Sequence, residues 1–297
     1  MNFIDFLSNT KYMLIASFIL GLLLPQLANP LEPYIVPILV VLLTISIKDV
    51  AFYHLEKKDF EEIFGFLLLN YVILTGLYLL LTHIFIEPVY QNALFVLGLM
   101  PPAIGIIALA RILKAKIEIS FITEFVAYVL ALGIIPLLSH FIFGESVGII
   151  NVLEVLGYVL IIPFILSRIL HAYELKKGRG PEKLYKSVLN ICYMLTFYII
   201  VGVNRDILVS DIFGLSNVFF VLLFLKFGVG LLIYYSFKRL IKREDEVLVV
   251  LFSTMKNGGM AAAITIMLFG IEATLPLAIN SITTPIYIVF VEWLFER

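Results

Sequence analysis

The sequence predicts an all-α integral membrane protein of ten transmembrane helices, arranged as two inverted five-helix repeats. Three observations predict it. Of its 297 residues 62% are hydrophobic and 14% charged, where a soluble domain carries about 45–50% and about 25%. Apolar runs near the roughly 20 residues a span needs recur along the whole chain. Lysine and arginine gather in alternate connections between those runs.

Taken in order, the first run, 12–28, follows Lys11 and closes at Asn29-Pro30. No basic region or small-residue cleavage site precedes it, so it reads as a retained span. The second, 34–47, is short, tilted or only partly spanning, and ends at Lys48. Residues 48–62 mix charge with Phe, Tyr and Leu, a composition suited to a surface helix. Span three, 63–85, stops before Glu87-Pro88, and span four, 91–112, is interrupted by Pro101-Pro102. Span five, 117–143, starts after Lys114 and Lys116 and runs to Gly144. Span six, 148–170, closes with Arg168, and a basic loop from Lys176 to Lys186 leads to span seven, 185–203. Span eight, 215–237, stops at Lys238-Arg239. Span nine, 247–269, follows Arg243 and ends at Gly270; span ten is 271–295.

The even-numbered connections and both ends of the chain carry 18 of the 21 basic residues. The opposite loops hold only Arg205, and Lys226 and Lys256 fall inside spans. By the positive-inside rule this gives a multi-pass cell-membrane protein with both termini cytoplasmic. The net charge of −1 hides this asymmetry and points to no nucleic-acid partner. The partners implied are the lipid bilayer and a small molecule, and oligomeric state is not legible. The single cysteine, Cys192, excludes an internal disulfide and reads as a small core residue.

Lys256 is the most informative residue. A charge at the bilayer centre costs roughly 2.5–3.5 kcal/mol on insertion scales, so such residues are paired and functional as a rule. Asn257-Gly258-Gly259 follows it, and adjacent glycines weaken a helix by about 1 kcal/mol each relative to alanine. A shift of 154 residues aligns Gly105–Ser120 with Gly259–Thr274 without a gap, matching Gly105/Gly259, Ala108/Ala262, Ile112/Ile266, Ile117/Ile271 and Glu118/Glu272. Pro101-Pro102 in span four then corresponds to the Lys256-Asn257-Gly258 region of span nine. Repeats of about 1–145 and 146–297 hold five spans each, which makes them inverted. Paired interrupted spans in such repeats point to a transport site near the midplane.

Leu99-Met-Pro-Pro-Ala-Ile-Gly105, Ala110-Arg111, Glu118-Ile-Ser120 and Met255-Lys-Asn-Gly-Gly-Met-Ala-Ala-Ala263 together resemble the bile acid:sodium symporter family. The motifs cover spans four, five and nine; hydrophobic layout and span count agree along most of the chain. The resemblance implies a single transporter domain, 1–297, with core helices at about 63–143 and 185–295. Broken spans four and nine would cross there and bind sodium, with an organic anion between core and panel. The chain departs from the family at the sodium site. The family's glutamate falls at Phe252, its following glutamine at Lys256 and its Ser-Asn pair at Ala103-Ile104. A hydroxyl ligand matches Ser120, the next falls at Glu124 beside Thr123, and Asn70 matches the remaining ligand loosely.

The expected ion and substrate site therefore draws on Lys256, Asn257, Gly258, Thr254, Glu124, Ser120, Thr123, Asn70, Pro101 and Pro102. The Lys256 ammonium would replace a sodium ion, with Glu124 as its counter-charge. Lys226 is a rival partner for Glu124, and Asn280, Ser281, Thr283 and Thr284 of span ten offer further oxygens or packing contacts. The function expected is secondary active transport of a small or amphipathic carboxylate by alternating access, independent of sodium. Alternatives are a sodium-coupled symporter of the same family, an auxin efflux carrier-like transporter, or a channel or membrane sensor. An enzyme is not expected. His54, His83, His140 and His171 make no ligand spacing, and no nucleophile elbow occurs. No cofactor is implied beyond sodium or a proton as coupling ion.

Overall fold

The computed structural model describes residues 10–46, 48, 57–103, 105–144, 150, 153–154, 157–178, 180–210 and 215–295. Their regular elements are all helices, with no strand among the described residues. In chain order the helices are α1 (Thr10–Leu23), α2 (Ile35–Ser46), α3 (Lys57–Phe85), α4 (Pro88–Leu99), α5 (Gly105–Ile112) and α6 (Ile117–Phe143). Then follow α7 (Ile162–Lys177), α8 (Glu182–Val203), the short α9 (Arg205–Ser210), α10 (Ser216–Phe237), α11 (Arg243–Phe252), α12 (Gly258–Phe269) and α13 (Leu275–Phe295). Five helices are long and apolar enough to cross a membrane: α3, α6, α8, α10, and α13 with its leading turn from Glu272. Their outer faces expose Phe64, Ile84, Phe141, Phe220 and Leu232. So much exposed apolar surface suits a membrane-embedded protein.

The structure corrects one boundary. Lys57–Glu62, expected in a surface helix, instead form the first turns of α3; residues 49–56 of that expectation lie outside the described residues. The reason is electrostatic as well as helical. Glu62 on the first turns of α3 binds Lys116 at 2.7 Å, and Lys116 binds Asp245 at 2.5 Å. The starts of α3, α6 and α11 are thereby tied together. Partial burial pulls Lys116 down, but hydrogen bonds to Asp245 and Glu62 and their charges outweigh it and hold its ammonium above the ordinary lysine range.

Two apolar clusters fill the interior. One gathers α4 (Leu94, Leu97, Leu99), α12 (Met260 to Ile264) and α8, against which α1 and α2 pack. The approach of α1 to α8 is close: a Cβ on Gly21 would sit 2.7 Å from that of Val201. Small residues at such contacts let helix backbones meet. The other cluster gathers α5 (Ile106, Leu109, Ala110), α11 (Val247 to Phe252) and the first turns of α3. Thus α4 and α12 share one cluster and α5 and α11 the other. The pairs α4–α5 and α11–α12 run through the molecule in opposite directions, and both interruptions fall between the clusters.

Candidate functional site

The two interruptions touch. Pro102 and Lys256 form an isolated antiparallel bridge, in which Asn257 N–H donates to Pro101 O at 2.9 Å and Ala103 N–H to Met255 O at 3.4 Å. Pro101 and Pro102 suit this place because a proline has no N–H to leave unpaired where a helix breaks. On the other side of the bridge Asn257 restarts the helix: its Oδ1 accepts from Met260 N–H at 3.0 Å and caps α12. Gly258 is required by a close approach, since a Cβ there would lie 2.7 Å from Asn280 Nδ2.

A third element reaches the same point. Over Leu69–Leu74, α3 widens into a π turn, which takes Asn70 O out of the regular i→i+4 ladder. Lys256 Nζ donates to Asn70 O at 3.0 Å, Asn70 Oδ1 at 2.8 Å, Thr75 Oγ1 at 2.9 Å and Met100 O at 2.9 Å. The Tyr71 ring adds a cation–π contact, its centroid 5.1 Å away. Lys256 is 7% exposed and Asn70 wholly buried. Asn70 also donates through Nδ2 to Phe252 O at 2.8 Å and Met255 O at 3.3 Å, carbonyls freed by the break after α11. Four oxygens around one positive centre form the kind of shell a bare monovalent cation takes, with the ammonium at its middle.

No family model and no curated protein matches this sequence.

The expected Lys256–Glu124 pair does not form, and Glu124 makes no ion pair with Lys226 either. Lys256 turns towards α3 and Met100, where four acceptors compensate its charge. Glu124, on α6, turns to α5, where Ile107 N–H donates to its carboxyl group. Its Oε1 has no hydrogen-bond partner among the described residues, although the residue is 3% exposed. Asn257 Nδ2 donates to the Tyr128 hydroxyl, one turn along α6 from Glu124.

Lys226 has a cage of its own. It lies in the π turn of α10 (Phe224–Gly228) and donates to Asn280 Oδ1 at 2.7 Å, Asn280 O at 3.3 Å, Thr283 Oγ1 at 2.7 Å and Thr284 Oγ1 at 2.8 Å. In both cages one asparagine offers its backbone and side-chain oxygens together, with threonine beside it.

Several expected residues are not brought to either centre. Ser120 and Thr123 spend their hydroxyls on Ile117 O and Ile119 O of their own helix, and Ser281 on Leu277 O. Serine and threonine commonly bond to the preceding turn in this way. Thr254 does likewise with Val250 O and accepts from Tyr287 OH at 2.7 Å. Thr75, Met100 O and Tyr71 at Lys256, and Ile107 N–H at Glu124, were not singled out from sequence. Thr75 alone had a signal: it stands five residues after Asn70, the spacing a π turn closes.

Proposed function

We propose that the chain is a secondary transporter for an organic anion, of the bile acid:sodium symporter type, in which the Lys256 ammonium permanently occupies a sodium position. The single observation carrying this is the all-oxygen cage around Lys256 at the junction of two broken helices. A cage of this kind on a continuous helix would be a structural bridge. At paired helix breaks it lies where alternating-access transporters bind their ions and substrates.

The internal symmetry supports the same reading. The shift of 154 residues moves Leu69–Leu74 to 223–228, against a π turn observed at Phe224–Gly228. It moves the interruption between Leu99 and Gly105 to 253–259, against one between Phe252 and Gly258. It moves the start of α6 from Ile117 to 271, against the turn that begins at Glu272. Two five-span halves of opposite orientation, ten spans in all, account for this register and for the opposed run of the broken helices. With the basic loops cytoplasmic, both termini lie on the inner side of the cell membrane. The breaks start α5 and α12 at the same point, so two positive helix ends face the position of an anion.

The test is an uptake screen in proteoliposomes. Radiolabelled carboxylates, from acetate and pyruvate to a bile acid, are supplied while sodium and proton gradients are varied independently. Uptake of at least one without sodium is expected. Uptake of none under any gradient would remove the transporter assignment, and strict sodium dependence would remove the role of Lys256.

A further inference from the structure

Glu124 is a buried charged group that neither cage explains. The residue is 3% exposed, one carboxyl oxygen meets Ile107 N–H in the first turn of α5, and Oε1 meets no donor among the described residues. A buried carboxylate oxygen without a partner is costly, and the cost is removed by a cation or a proton arriving there. Among the described residues no lysine or arginine forms an ion pair with it; Lys256 and Lys226 are saturated elsewhere. The titratable groups around it are phenols and a thiol. Tyr128 is on its own helix and Tyr193 on α8, both within electrostatic reach, with Cys192 beside Tyr193. From α3, Tyr71 donates its hydroxyl to Ala127 O of α6 at 2.7 Å. Helix α4 offers only Tyr90, nine residues before the break, and α5 only the exposed Arg111, paired with Glu182 at 3.5 Å.

The N-terminal turn of α5 attracts anions through the Ile107 N–H and its dipole. Glu124 already sits on it. We propose that Glu124 is a tethered anion that holds this position against a substrate carboxylate, and that a proton bound at its free oxygen makes it yield. A proton taken from the medium converts the carboxylate to the neutral acid; nothing else is consumed. The neutral acid no longer competes for Ile107 N–H, and an incoming carboxylate takes that bond. One proton and one negative charge then occupy the site together, so a monocarboxylate would be carried without net charge. This rests on the transporter reading for its physiological meaning, but the exchange itself can be observed without transport.

The experiment is infrared difference titration of the full-length protein in lipid nanodiscs, with acetate as the probe anion. On lowering the pH, wild type is expected to gain a protonated-carboxyl band that Glu124→Gln lacks and Glu124→Asp retains at a shifted frequency. Adding acetate at fixed pH is expected to raise that band's intensity, while equal sodium chloride leaves it unchanged. Identical spectra for wild type and Glu124→Gln would overturn the proposal, as would a band indifferent to acetate. A band abolished by sodium would show a cation site instead. If the band behaves as expected while the carboxylate screen is blank, the transporter assignment fails and the proton site stands.

Discussion

Replacing Lys256 by alanine should turn a permanent cation site into an ion-dependent one. The substitution removes the ammonium from four oxygens at 2.8–3.0 Å. Asn70 O retains the Thr75 N–H as a donor, and Thr75 Oγ1 still donates to Gly98 O at 2.8 Å. Asn70 Oδ1 and Met100 O keep no other donor among the described residues. Each orphaned buried acceptor costs about 1–3 kcal/mol, hence roughly 2–6 kcal/mol for the pair. Part of this is offset because an ammonium no longer has to be desolvated. A sodium ion entering the emptied cage would recover about 2.7 kcal/mol at a concentration 100-fold above its Kd. The assay is thermal unfolding of purified protein in sodium chloride and in choline chloride at equal ionic strength. Lys256→Ala should unfold at a lower temperature in choline and recover in sodium, while wild type should be the same in both. Lys256→Met, whose side chain keeps the space filled, should be destabilised in both salts. A Lys256→Ala protein indifferent to sodium would refute the equivalence of ammonium and ion.

Three further outcomes are expected. Thr75→Val, which keeps the shape but loses the hydroxyl, should lower stability by about 1–3 kcal/mol through Lys256 and Gly98 O, read as a lower unfolding midpoint in choline chloride. Lys226→Met should cost a similar amount by orphaning Asn280 Oδ1, with the carboxylate preference in the uptake screen unchanged. At the end of α7, Glu174 is held down to about 2 by a hydrogen bond from Tyr185, then by Lys48 at 2.9 Å and by Gly180 N–H at 3.1 Å. A depressed carboxyl contributes stability that is full above its ordinary value of 4.5 and lost as pH falls towards 2. Acid titration of the unfolding midpoint between those limits should therefore be steeper for wild type than for Glu174→Gln.

The two broken helices were legible because their causes are local: Pro101-Pro102 forbids a helix, and Asn257-Gly258-Gly259 weakens one and caps the next. Lys256 was legible because a lysine among apolar residues has no cheap alternative. Its partners were not. Two of its four acceptors are backbone carbonyls, which carry no sequence identity, and a third, Thr75, matters only because α3 widens at Asn70. The Glu124 pairing failed for a related reason. Sequence placed two opposite charges within spans but not the directions in which they turn, and an ammonium surrounded by four oxygens has no need of a carboxylate. Lys226 shows the converse. Asn280, Thr283 and Thr284 were visible as oxygen donors to some site, and the structure assigns them to the one buried cation nearby that sequence had left without a settled role.

Uptake of a carboxylate by wild-type proteoliposomes, with sodium replaced by choline on both sides, tests the central claim most directly. If the Lys256 ammonium does the work of a bound sodium ion, the initial rate is unchanged by the replacement. A rate that vanishes without sodium would contradict it.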